Sequence, residues 1–237
     1  AQCRGKRNLS LLFVPPQSGG MEINMSDKNN KVKYNLKNAH YALLTIGEDG
    51  AVSYAAPVPL PGSVSLSLDA NGEPENFYVD GIAYYVINNN MGYDGDLELA
   101  LIPESFRTDV LREKLDAKGV LIENSDAELA LFALLFEFDG DVRHIRHVMY
   151  NCSASRPKIE GKTNEEKKEV QTETLTIKAT PLSDGKVKAK TGDTTDAAVY
   201  ADWYKSVYLP AAEKESQVAG DSGRQVSDEG KTGKNLS

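Results

Sequence analysis

Apolar and polar positions alternate with a period of two along much of this chain from Val32 onward, the period of strands half-buried in a sheet. The clearest stretch is Ser63-Val64-Ser65-Leu66-Ser67-Leu68, where every second residue is apolar. Residues 40–46 form an apolar run that stops at Gly47-Glu48-Asp49-Gly50. The segment 51–60 is interrupted by Pro57 and Pro59 and followed by Pro61, which fits an edge strand or an extended arm because proline cannot donate to a ladder. Asp69-Ala70-Asn71-Gly72 has turn chemistry. Residues 77–87 are aromatic and β-branched on both faces, predicting one strand covered on both sides. A loop over 88–95 follows. Leu97, Leu99 and Leu101 then alternate with Glu98 and Ala100 as the hairpin partner of 77–87, ending at Pro103. Beyond Lys118-Gly119 the pattern predicts a strand over Val120–Glu123, a strongly apolar strand over 129–138, a turn at Asp139-Gly140 and a partner strand over 142–150, together a central hairpin. Thr172–Ala179 alternates again, with Leu175 and Ile177 inward.

Two segments change period. Pro103 suits a first helical turn, Glu104 suits its positive dipole end, and Phe106, Val110, Leu111 and Leu115 mark one face of a helix over about 103–116. A second helix starts near Asp196, with Val199, Trp203 and Val207 four residues apart, and stops at Pro210. Residues 153–171 are polar and charged, with Arg156-Pro157, Gly161 and the run Glu165-Glu166-Lys167-Lys168-Glu169. They read as a long exposed loop with room for one helical turn.

The ends differ from the middle. Residues 1–30 read as a flexible arm or an upstream leader, since Pro15-Pro16 and Gly19-Gly20 precede Met21 and Met25, either of which would serve as a start. Residues 210–237 are rich in Gly, Ser, Glu, Lys and Asp and are expected to be disordered, leaving 31–209 as the folding domain.

Composition narrows the chemistry. The 237 residues suffice for one domain with a real core, which at this size buries roughly 70% of the surface its unfolded chain exposes. Gly 19, Pro 10 and Tyr 11 lean toward a turn-rich β protein. Two cysteines, Cys3 and Cys152, are too few for a disulfide framework or a tetrahedral zinc site. A net charge of −8 argues against phosphate-backbone binding, which concentrates Lys and Arg. No apolar run approaches the roughly 18 residues of a membrane-spanning helix. Arg4, Lys6 and Arg7 precede the apolar stretch 9–14 as in a signal peptide, but Pro15-Pro16 cuts it short and no clear small-x-small cleavage site follows.

Catalytic and ligand motifs are weak. His144 and His147 would point to opposite faces of one strand and so would not chelate one ion together. His40 is the third histidine, and nothing local pairs it with a nucleophile. Counting Asn90 as first in a calcium loop puts Gly95 sixth but Leu101 where a bidentate Glu belongs, so an ordinary turn is the expectation. Gly161-Lys162-Thr163 echoes the end of a phosphate-binding loop, yet Arg156 stands where its leading glycine belongs. Arg143, Arg146, Arg156 and Lys158 are better suited to a subunit interface than to nucleic acid on so acidic a chain.

Several stretches carry a specific resemblance: 32–41 (VKYNLKNAHY), 61–69 (PGSVSLSLD), 88–98 (NNNMGYDGDLE), 132–140 (FALLFEFDG), 146–152 (RHVMYNC), 156–163 (RPKIEGKT) and 172–177 (TETLTI). In this order, over about 30–209, the chain resembles the major tail proteins, or tail tube proteins, of siphoviruses that infect Gram-positive bacteria. The resemblance implies a mainly β (α+β) fold, a tail-tube-type β-sandwich or barrel with one or two flanking helices. It implies a structural virion protein of the phage tail, assembled in the host cytoplasm, that stacks as homo-oligomeric rings, commonly hexameric. The rings surround a tape-measure protein that later gives way to DNA, which passes without specific binding. Tail terminator and baseplate or distal tail proteins are the further implied partners, and no enzyme activity, cofactor, metal or membrane is expected. An acidic balance would suit a lumen through which DNA must slide. The candidate ring-stacking contacts lie in the polar loop: Arg156, Lys158, Glu160, Lys162, Glu165, Glu166 and Lys167. The alternative from a different class is a β-sandwich module binding carbohydrate or a receptor at the tail tip, which should present an aromatic-lined pocket.

Overall fold

The computed structural model describes residues 29–163 and 167–210. Residues 1–28 of the arm expected over 1–30, residues 211–237 of the tail expected over 210–237, Glu165 and Glu166 lie outside the described residues, as does Cys3 within the arm. The compact unit ends at Val207.

The fold is mainly β with two short helices, as the alternation predicts. The strands run β1 Lys33–Ile46, β2 Val52–Tyr54, β3 Val58–Pro59, β4 Ser63–Asn71, β5 Glu75–Val79, β6 Ile82–Ile87 and β7 Gly92–Leu99. Helix α1, Glu104–Asp109, precedes β8 Lys114–Leu115, β9 Leu121–Ile122, β10 Phe132–Gly140, β11 Ile145–Ala154, β12 Glu173–Ala179 and β13 Lys188–Lys190, and α2 spans Ala197–Asp202. One nine-stranded antiparallel sheet has the order β2-β1-β10-β11-β12-β7-β4, with β3 on β1 and β13 on β11. The sheet rolls until β4 approaches β1. Its inner face gathers Tyr41, Leu97, Phe132, Leu134, Leu175 and Ile177 into one core, which Phe106 and Val110 of the α1 segment join. Phe106 packs edge-on against Tyr41 and Phe132, with ring centroids 5.1 and 5.5 Å apart.

Strands β10 and β11 are buried on both faces, which explains why 132–136 reads as a continuous apolar run rather than an alternation. Ala133, Leu135, Val148 and Tyr150 are buried on the face opposite the core cluster, and Trp203, just past α2, donates its indole N–H to the His147 carbonyl at 3.4 Å on the same strand. Helix α2 begins near Asp196 as predicted, and Asp196 caps it, its carboxylate accepting from the backbone N–H of Ala198 at 2.8 Å and Val199 at 3.4 Å.

Several predicted elements need correction. The run 77–87 is not one covered strand but two, β5 and β6, paired with each other across Asp80-Gly81 and separate from the main sheet. Asp69, Ala70 and Asn71 continue β4, and Gly92 to Gly95 belong to β7; these residues pair with each other from Asp69↔Asp94 to Asn71↔Gly92. Strand β7 therefore partners β4 and β12, not 77–87, and Leu101 is exposed beyond its end. Asp139 and Gly140 pair with Tyr34 and Lys33, so the turn of the central hairpin falls after them and its second strand starts at Ile145. Helix α1 stops at Asp109 because the chain turns away at Arg112, whose φ of 60° is left-handed; Leu115 goes instead into the β8–β9 ribbon. After α2, Trp203 and Val207 remain buried although the helix has ended, because the chain tightens into turns such as Lys205 N–H to the Asp202 carbonyl at 2.9 Å.

Candidate assembly interface

Antiparallel register gives the rolled sheet two ends. At one end lie the start of β4 and of β12 and the close of β7 and β11, with Ser63 and Glu173 both opposite Leu99. The α1 segment and the polar loop after Ala154 belong here. At the other end lie Asn71, Gly92 and Ala179, and from here the β5–β6 hairpin leaves the sheet.

The hairpin is pinned at its base and bare beyond it. Gly92, at φ +100°, passes so close to β12 that a Cβ there would lie 1.9 Å from the Ala179 carbonyl oxygen. The Met91 N–H donates to the Asn71 carbonyl at 3.0 Å, closing the neck. Asp80 and Gly81 both take positive φ, 53° and 77°, the type I′ geometry that matches strand twist. Every residue of β5 and β6 is exposed, with Tyr84 reaching 76%. Consecutive strand residues point to opposite faces, so neither face is covered by the other described residues. An isolated two-stranded hairpin is marginally stable in water, and an apolar patch of this kind marks a contact surface.

The polar loop is anchored at its neck. Arg156 pairs with Glu123 at 2.9 Å, both about half exposed. Lys158 and Glu160 line a polar cleft of about 330 Å³ together with Asp96, Arg107, Thr174 and Thr176. Arg107 bridges Glu113 at 3.3 Å and Glu173 at 2.9 Å, and the other oxygen of Glu173 accepts from the Ile102 N–H at 2.7 Å. Gln171 clasps the backbone of Lys162, accepting its N–H at 2.9 Å and donating to its carbonyl. Ile159 is fully exposed on the loop, and Lys167 is exposed as well. Arg156, Lys158 and Glu160 thus meet at one cleft, with Lys162 beside it and Lys167 apart.

The predicted interface role of Arg143 and Arg146 is taken up inside the chain. Glu137, 2% exposed, accepts from Asn38 Nδ2 at 2.6 Å, Arg146 Nε at 3.0 Å and the Tyr204 hydroxyl at 3.2 Å. The Arg146 guanidinium also lies 3.9 Å from the Tyr200 ring centroid and donates to the Tyr200 carbonyl. Burial, then the neighbouring Glu137 charge, pushes the Tyr204 hydroxyl pKa well above that of an ordinary tyrosine. Arg143 packs over the same Tyr200 ring at 4.9 Å. This cluster ties the α2 segment to the sheet.

His144 and His147 do separate, though not as two residues of one strand: His144 stands just before β11 and only His147 lies on it. His144 Nδ1 lies 2.7 Å from Asp139, whose carboxyl is held below the usual carboxylate range first by the hydrogen bond from Lys37. His147 stacks on Phe136 at 5.0 Å with its ring edge-on to Phe138 at 5.6 Å. Burial, and then the ammonium groups of Lys190, Lys33 and Lys188, push its pKa down to about 4. His147 floors an open mouth of about 320 Å³ at the hairpin end of the sheet, where Lys33 lies 4.6 Å over Phe138 and Lys188 lies 4.2 Å over Tyr93. Cys152 is fully buried, which pushes its thiol up to about 12 and leaves it inert as a nucleophile. Among the described residues no group of three or more His, Cys, Asp or Glu is placed to hold a metal ion. No helix among them is long and apolar enough to cross a membrane.

The hairpin and the basic mouth were not identified from the sequence. Asp80-Gly81 was the available signal, an Asp-Gly pair between apolar runs, but apolar residues continue on both sides of it and mask the break.

No protein-family model and no curated protein matches this sequence. Among solved structures, the chain is similar to a component of the anti-feeding prophage cap (the AFP tube terminating cap), at 11% identity and a TM-score of 0.39, over 73% of this chain and 99% of that one. It is similar also to a component of the six-fold symmetrised anti-feeding prophage baseplate, at 10% identity and a TM-score of 0.39, over 69% of this chain and 97% of that one. Likeness this loose identifies neither a family nor a function.

Proposed function

We propose that this chain is a structural subunit of a bacteriophage tail, the major tail protein of a siphovirus, which closes into homo-oligomeric rings that stack into the tube for DNA ejection. The observation that carries this reading is the β5–β6 hairpin, apolar on both faces and covered on neither by the other described residues. A protein that worked alone would leave that surface in water, whereas a subunit buries it against its neighbours. The sequence resemblance over about 30–209 supports the same reading, and so does the placement of the two projections. Hairpin and polar loop leave opposite ends of the sheet, so a head-to-tail array sets the loop of one ring against the hairpin end of the next. Such heterologous contacts build rings and then tubes. The protein has no catalytic role on this reading; its partners are itself, the tape-measure protein, and terminator and baseplate proteins.

A second reading draws on the exposed aromatics of the hairpin: a tail-tip module binding carbohydrate or a receptor. Carbohydrate-binding aromatics line concave sites, whereas Tyr78, Tyr84 and Tyr85 stand on a projecting two-stranded ribbon. Replacing Tyr78, Ile82 and Tyr84 together by Ser separates the two. The assembly reading expects a folded chain with unchanged circular dichroism that no longer forms rings or tubes by electron microscopy. Unimpaired tubes from this variant would refute it.

A further inference from the structure

The bare hairpin needs a receiving surface, and the charge distribution indicates one. No Lys or Arg occurs between Lys37 and Arg107, so the hairpin is purely acidic, with Glu73 and Glu75 at its base and Asp80 at its tip. At the same end of the sheet is the open mouth, whose floor is apolar, with Leu66, Leu68, Phe138 and Met149, and whose rim carries Lys33 and Lys188, with Lys190 nearby. Both rim ammonium groups rest over aromatic rings, and no ion pair to a carboxylate holds either of them among the described residues. The basic rim stands on a chain whose net charge is −8.

We infer that the β5–β6 hairpin of one copy seats on this mouth in a second copy, with the Asp80 carboxylate between Lys33 and Lys188 and the cross-strand pair Val79 and Ile82 at the tip on the apolar floor. The inference rests on the reading of the chain as a self-assembling subunit. Three observations select a second copy as the occupant. The charges are complementary, acidic tip to basic rim, in a pairing that steers and registers association. Phe77, Tyr78, Ile82, Tyr84, Tyr85 and Ile87 are each 47 to 76% exposed. At about 200 Å² per large side chain they offer on the order of 700 Å², close to the roughly 800 Å² per partner of a standard stable interface. Hairpin and mouth also lie at the same end of the sheet, so copies standing side by side and facing the same way bring one hairpin to the next mouth, repeated around a ring.

The test is zero-length carbodiimide coupling, which joins only a carboxylate and an amine in contact, applied to an assembled mixture of isotopically light and heavy full-length chains. The expected product is a mixed-isotope peptide pair joining Asp80 to Lys188 or Lys33. Rings or tubes without that pair would overturn this inference and leave the proposed function standing; a chain that stays monomeric at all concentrations, with initiator present, would overturn both. A charge swap supplies the second readout. Asp80→Lys should raise the concentration needed for assembly roughly tenfold or more, and adding Lys33→Asp with Lys188→Asp should restore it. Both single-side changes are on exposed or half-exposed positions, so the variants fold, and failure of the swap to restore assembly would contradict the pairing.

Discussion

Removing the Arg146 guanidinium tests how the α2 segment is held. In Arg146→Ala, Glu137 stays 2% exposed and keeps its bonds from Asn38 and Tyr204, but its charge loses the only cation that touches it among the described residues. Breaking a buried pair from one side costs about 3–5 kcal/mol, because the partner charge is left uncompensated in low dielectric. The stacking of the guanidinium on Tyr200 and its bond to the Tyr200 carbonyl go as well, which places the expected loss in the upper part of that range. Replacing both partners, Glu137→Leu with Arg146→Met, removes the unpaired charge and should cost less than Arg146→Ala alone, within about 2 kcal/mol of the parent. Urea unfolding followed by circular dichroism measures both, with the Trp203 fluorescence reporting whether the α2 segment detaches first. A loss below about 1 kcal/mol in Arg146→Ala, or a double variant as unstable as the sum of the two singles, would refute the assignment of this cluster as a coupled buried pair.

Four further outcomes are expected from the same structure. His147 has a folded pKa of about 4 against an ordinary 6.5, so its contribution is fully present above pH 6.5 and is lost as pH falls toward 4; unfolding at a series of pH values should show a loss of at most about 3 kcal/mol that His147→Gln abolishes in that window. Gly92→Ala would set a Cβ 1.9 Å from a backbone oxygen at φ +100° and should cost at least about 3 kcal/mol in thermal denaturation. Gly185→Ala, at φ +82° in open space, should cost only about 1–2 kcal/mol. Deleting 159–168 should leave a folded chain that forms no tubes, and normal tubes from it in electron microscopy would remove the polar loop from ring stacking.

Much of the sheet was legible because its strands keep one face in the core. Leu175 and Ile177 alternate with Thr174 and Thr176 and are buried as predicted, and the apolar run at 132–136 marks a strand covered on both faces. Connectivity was less legible. Residues 77–87 carry a buried-strand composition, yet none of the other described residues covers them, and a sequence records apolar demand without saying which molecule meets it. Helix ends shifted because periodic apolar residues such as Leu115 and Val207 continue past backbone turns that only φ at Arg112 and the bonds after Tyr200 reveal. The candidate loop residues Arg156, Lys158 and Glu160 do converge on one cleft, while Arg146 was drawn inward by Glu137, a pairing set by the register of β10 against β11, Glu137↔Arg146, and invisible without it.

Self-assembly of the chain is tested most directly by negative-stain electron microscopy of the purified protein at rising concentration, with a baseplate-type initiator added. Hollow tubes of stacked rings are the predicted result; monomers that persist at every concentration with the initiator present would contradict it.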